Sequence, residues 1–196
     1  MAIVVTIGGA AIGPLAQSLS ISETLNGRSM CEMRLVRAAG ASVPAVGTVV
    51  TIEDGASLIF AGLVQTVARA ALYIGGLRTV AITCSDYSCL ADYRCAGRYT
   101  WKVAYANDIA RAIITNSMTG DGVDITGVPA GAGAIIDEFA IVQPTVAEAL
   151  TALGTLAGRT WRINYAKELE WYLPTSLSVI ATLADDSCHV LETPGV

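Results

Sequence analysis

Charge is scarce in this sequence. Lys, Arg, Asp and Glu together make up 15% of the 196 residues, well below the ~25% of an average soluble domain. The twelve basic side chains form no cluster and are outnumbered by seventeen acidic ones, giving a net charge of −5 and a pI near 4.8. That balance excludes the basic footprint of a sequence-specific nucleic-acid binder, and equally a polybasic membrane-surface patch. Hydrophobic residues reach 53%, which excludes disorder. A chain of 20.3 kDa can bury roughly 70% of its unfolded surface, so it has a real core without staples. So few charges on what remains outside imply that partner subunits cover part of the surface.

Long apolar runs are also missing. The first charged side chain is Glu23, but Thr6, Gln17, Ser18, Ser20 and Ser22 interrupt the stretch before it, and Gly8, Gly9, Gly13 and Pro14 break it. No basic residue opens it, as a signal peptide requires, and it is too broken for a membrane span of about 20 residues. It reads as a strand, a turn and a second strand, in a chain expected to be cytoplasmic at synthesis.

Histidine is almost absent, and this limits the chemistry. His189 is the single imidazole. It follows Cys188 directly, and neighbours on an extended segment point to opposite faces, so the two are poorly placed to act together. The five cysteines, Cys31, Cys84, Cys89, Cys95 and Cys188, are an odd number and lack the paired C-x2-C knuckles of a zinc site. A Cys3His site is conceivable, and buried free thiols are the plainer account. Neighbouring acids at Asp137-Glu138 and Asp185-Asp186 suit a solvated turn or strand edge. No glycine-rich stretch matches a phosphate cradle. The sequence yields no catalytic residue, metal ligand or cofactor.

What is present is a succession of strands. Ile3, Val5 and Ile7 alternate with smaller residues, as do Leu19 and Ile21; Cys31, Met33 and Leu35 alternate with Glu32 and Arg34. Asn26-Gly27 is a tight-turn signal. Val49, Val50, Thr51 and Ile52 lead into the turn at Asp54-Gly55, and a long strand over residues 58–69 carries Gly62 at its middle. A glycine there marks a bulge, a bend or a close backbone approach. Gly75-Gly76 turns the chain into residues 78–84, where Val80, Ile82 and Cys84 share a face. Five to seven short strands at this spacing predict a small antiparallel barrel or sandwich.

Helices enter from residue 87. A short one covers 87–93, and Asn107 is positioned to cap another running to 118, stopped by Gly120-Asp121-Gly122. A glycine-rich loop over 127–133 precedes a strand over 134–142. Thr145-Val146-Ala147-Glu148 fits a capping box, Val146, Leu150 and Leu153 form one stripe, and Gly158 sits where a C-terminal cap belongs. Residues 160–165 and 169–173 read as a hairpin, and 177–183 as a last strand-like run.

Several idioms resemble those of bacteriophage tail hub, or baseplate hub, proteins. They are Val50-x-Ile52-x-Asp54-Gly55 followed by Ile59-Phe60-Ala61-Gly62-x-Val64, then Cys84-Ser85-Asp86-Tyr87 with Leu90 and Arg94. The alanine-rich 146–150 and Gly158-x-x-Trp161-x-Ile163 extend the likeness, which covers roughly residues 17–173. The resemblance implies a β-rich α+β chain: a small antiparallel β-barrel over 1–86, then an inserted α/β domain with two or three helices over 87–175. Residues 176–196 would return to the barrel as a strand and tail.

The implied role is a structural virion protein, assembled in the host cytoplasm into a tail-tip ring and contacting other tail proteins. Such rings are usually trimers with two barrels per chain. Little of this sequence follows Leu173, so either a C-terminal half is absent or carried elsewhere, or the ring has one barrel per chain and a hexamer is the other expectation. An acidic lumen would make the ring a passive DNA conduit, with no membrane contact. Phe60 and Val64 would hold the barrel, with Asp54 and Gly55 at its turn; Gly62 would permit a bend. Asp86 would cap the start of the insert, followed by Tyr87, and Trp161 would pack the helix from Thr145 against its sheet. The competing functions are a tail-associated hydrolase built on His189 and a carbohydrate- or receptor-binding module using exposed tryptophans.

Overall fold

A computed structural model describes residues 3–14, 18–24, 28–38, 41–73 and 77–174 of the chain. The turns expected at Asn26-Gly27 and Gly75-Gly76, the run over 177–183, Cys188 and His189 lie outside the described residues.

The described residues are β-rich with three α-helices. Their N-terminal part forms strands β1 (Ile3–Ile7), β2 (Ala10–Ile12), β3 (Ser20–Ser22), β4 (Met30–Ala38), β5 (Val49–Asp54), β6 (Ser57–Tyr73) and β7 (Leu77–Asp86). They make one seven-stranded sheet in the order β2-β1-β5-β6-β7-β4-β3, and every neighbouring pair is antiparallel. Period-two alternation sends Val5 and Ile7, Val50 and Ile52, Val80 and Ile82, and Cys31, Met33 and Leu35 to a single buried face. Together with Phe60, Val64 and Cys84 they form one core cluster. Strands β1 and β4 stand well apart in the strand order yet share that cluster, so the sheet curls around its own inner face. Among the described residues the sheet is open, with β2 and β3 as its edges, so the expected barrel is not seen closed there.

The second core belongs to a lobe that begins at Tyr87 with one 3-10 turn and helix α1 (Leu90–Tyr93). Strand β8 (Arg98–Tyr105) pairs antiparallel with β9 (Ile135–Val142), and between them runs helix α2 (Ala106–Met118). Helix α3 (Val146–Ala157) leads into the hairpin of β10 (Thr160–Ile163) and β11 (Leu169–Tyr172). Ile109, Ile113, Ile114 and Met118 of α2 meet Leu150 and Leu153 of α3, and Phe139, Ile141, Ile163 and Trp171 close the cluster. The lobe reaches the sheet through Ala61 and Leu63, on the face of β6 opposite Phe60 and Val64.

Helix α3 starts at the expected capping box: Glu148 N donates to Thr145 Oγ1 and Thr145 N to the Glu148 carboxylate. It ends at Gly158, which is left-handed with φ 63°. Helix α2 differs from expectation. Its N-cap is Tyr105, and Asn107 lies inside the helix, buried. The Asn107 amide donates to Pro129 O while its Oδ1 accepts from Trp171 Nε1, so the side chain ties three segments rather than capping one.

Candidate functional site: the junction of sheet and lobe

Of the residues given a structural role from the sequence, Gly62, Asp86 and Tyr87 lie where sheet passes into lobe, Phe60 and Val64 in the sheet core, and Trp161 against α3, while Asp54 and Gly55 are remote from it. Those two occupy the β5–β6 turn, with Gly55 at φ 63° and Asp54 Oδ1 buried without a hydrogen-bond partner. Phe60 and Val64 are fully buried in the sheet core.

Gly62 is paired with Asp86 across β6 and β7. A Cβ on Gly62 would stand 2.0 Å from Ser85 O and 2.8 Å from Asp86 Cα. Of the three readings open to this glycine, these distances show the close approach of one backbone to another. The register shift of β6 comes after it, between Val64 and Thr66.

Asp86 ends β7 and is 4% exposed. Its Oδ1 accepts from Ser88 N at 3.1 Å, capping the 3-10 turn that opens the lobe, and its Oδ2 accepts from Ser29 N at 3.0 Å. Asp86 N in turn donates to Ser29 O at 3.0 Å. One carboxylate therefore holds the first turn of the lobe and the entry to β4 together. Burial raises its pKa, against the lowering effect of the two backbone donors.

Ser88 continues the junction. Its hydroxyl accepts from Ile163 N at 3.1 Å and faces Ile163 O at 3.4 Å, fixing β10 over the start of the lobe. Tyr165, just beyond β10, stacks obliquely on Phe60 with ring centroids 5.8 Å apart and donates its hydroxyl to Glu23 at 2.9 Å. Burial, then the bond to Glu23, raises the pKa of that phenol. Arg28 pairs with Asp92 across the same boundary. The Tyr87 ring is buried under Lys167 Nζ, 5.0 Å from its centroid. Trp161 binds α3 through Nε1, which donates to Thr151 Oγ1 at 3.0 Å.

Ser29, Ser88, Tyr165 and Trp171 are junction or core-tying residues that sequence reasoning did not select. A serine two places after an aspartate that ends a strand is a detectable Asx-type signal for Ser88. The others act through partners distant in sequence and leave no local trace.

The bonds of the junction hold sheet and lobe together. Burial pushes the thiols of Cys31 and Cys84 up to about 12 and that of Cys89 to about 11, so none is a ready nucleophile. Among the described residues no three His, Cys, Asp or Glu side chains converge as a metal site. No helix among them is long and apolar enough to cross a membrane.

The curled sheet joined to a helical lobe is a fold shared with solved phage tail proteins. The 43 kDa tail protein of prophage MuSo2 from Shewanella oneidensis superposes with a TM-score of 0.67 at 16% identity, over 87% of this chain and 55% of its own. A tail protein from Neisseria meningitidis MC58 gives 0.65 at 14% identity, covering 86% of this chain and 49% of the other. Prophage tail protein gp18 of Listeria monocytogenes gives 0.60 at 10% identity, covering 86% and 49%. This chain thus spans about half the length of the solved structures it matches. No protein-family model and no curated protein sequence matches it.

Proposed function

We propose that this chain is a structural virion protein, a component of the tail-tip or baseplate hub ring that connects the tail tube to the distal tip or fibres. The observation that carries the reading is the shared architecture: sheet and lobe superpose together on phage tail proteins over 87% of the chain. The scarcity of charge agrees with a subunit that buries several faces at once. The division into a barrel unit over 1–86 and an inserted domain over 87–175 belongs to this proposal, and it is supported by the two separate core clusters. So does closure of the barrel by residues 176–196. The chain acts without catalysis, its immediate partners are further copies and other tail proteins, and its acidic surface lets DNA pass without sequence-specific binding.

Light scattering of the purified chain at micromolar concentration tests this reading. A closed trimer or hexamer is the expected result, the latter for one barrel per chain. A monomer that also fails to join rings when mixed with the other tail proteins of its phage overturns it.

A further inference from the structure

The alternation that builds the sheet core runs one step too far. In β4 the inner face carries Cys31, Met33 and Leu35, all buried, and the next position on that face is Arg37. In β7 the inner face carries Cys84, Ile82 and Val80, and the next is Arg78. The register makes Arg37 and Arg78 direct partners. Two guanidinium side chains therefore stand side by side at the end of an apolar core, their Cβ atoms roughly 5 Å apart as in any directly opposed pair.

Like charges so placed repel, and nothing described neutralises them. Neither arginine has a carboxylate partner among the described residues. The Nε atoms of both are buried without a hydrogen-bond partner, a cost that native folds seldom leave standing. Arg78 spends one Nη on Ala41 O at 2.7 Å, which aims its side chain across the end of the sheet. Arg37 lines a cavity of about 290 Å³ bounded by Ile7, Ala10, Ile12 and Pro44 together with Ser42 and Thr48, and Arg78 reaches its rim through the bond to Ala41 O. This cavity sits beside the free edge strand β2.

We propose that Arg37 and Arg78 form a carboxylate-binding site at the mouth of the curled sheet. Two guanidinium forks suit a planar carboxylate, and the aliphatic walls suit the short apolar stem of an acidic side chain. A polyanion is disfavoured by the chain's net charge of −5. The carboxylate has two sources: the chain's own Asp185-Asp186, beyond the described residues, or an acidic side chain of a neighbouring subunit.

Thermal unfolding of the full chain at low ionic strength, in glutarate against chloride of equal ionic strength, tests the site. Glutarate at about ten times its Kd raises Tm by about 3–5 °C where the site is open. Arg37→Gln leaves the Arg78–Ala41 bond in place, so the variant folds with no lower Tm in chloride, and it abolishes the response. Arg37→Glu sets a carboxylate opposite Arg78, raises Tm in chloride and also abolishes the response. A response in the wild type identifies a neighbour as the natural source. A silent wild type, with a response appearing in Asp185→Asn/Asp186→Asn and lost on adding Arg37→Gln, identifies the chain's own acids. The proposal is overturned if neither protein responds, if the response survives Arg37→Gln, or if inorganic phosphate matches glutarate.

Discussion

The two halves of this molecule treat their polar groups differently. In the lobe, many polar side chains find partners within the lobe: Thr145 and Glu148 cap α3, Arg162 pairs with Glu170, Arg94 with Asp121, and the Asn107 amide is bonded on both sides. In the sheet, Arg37 Nε, Asp54 Oδ1 and Arg78 Nε are all buried without hydrogen-bond partners. Among the described residues its edge strands β2 and β3 each lack a partner on one side as well. A region that saturates its own hydrogen bonds is a finished unit, whereas one that leaves several open is shaped for something outside the described part.

The largest test of this contrast strikes where the halves meet. Gly62→Val forces side-chain atoms into the Ser85–Asp86 backbone, which cannot yield without opening the β6–β7 pairing. A loss of about 3 kcal/mol or more is expected in urea unfolding. If the halves are one cooperative unit, a single transition shifts; if the lobe stands alone, a lobe transition stays in place.

Asp86→Ala comes next. It strands the buried N–H groups of Ser29 and Ser88 together, at a cost of about 2–3 kcal/mol. The pH dependence sharpens this. Because burial raises the folded-state pKa of Asp86, the folded chain binds that proton more tightly than the unfolded one. The associated stability is fully present below the ordinary carboxylate range and is lost as pH rises through the raised value. The gap between wild type and Asp86→Ala should therefore widen as urea midpoints are taken from about pH 7 to about pH 4.

Thr145→Ala is the smallest. Loss of the capping box costs about 1 kcal/mol, and it should fall on the lobe alone. Hydrogen exchange would then speed in α3 and leave β4 and β7 unchanged. Faster exchange in the sheet would show that the two cores share their stability.

The parts of the fold that could be read from the sequence are those whose causes are local. The alternation of Cys31, Met33 and Leu35, the box at Thr145 and the left-handed cap at Gly158 each need only a few consecutive residues. Strand β8 was missed because its pattern breaks: Val103 takes φ 48° and is 74% exposed, and it stands outside the register with β9. Asn107 was misread as a cap because its partners, Pro129 and Trp171, lie 22 and 64 residues away. At the junction, the sequence points to Asp86 as a cap for the lobe, while its second bond, to Ser29, spans 57 residues and has no local signature.

The placement of the indoles has a practical optical consequence. Trp101 lies on β8, Trp161 on β10 and Trp171 on β11, so all three tryptophans of the chain belong to the lobe and none to the sheet. Intrinsic indole emission is then a built-in reporter for one half of the molecule. Far-ultraviolet dichroism, by contrast, sees the peptide groups of both. Recorded together on one unlabelled sample, the two signals separate the melting of the lobe from that of the sheet. A cysteine-directed dye on the exposed thiol of Cys95 would add an energy-transfer acceptor within the same lobe.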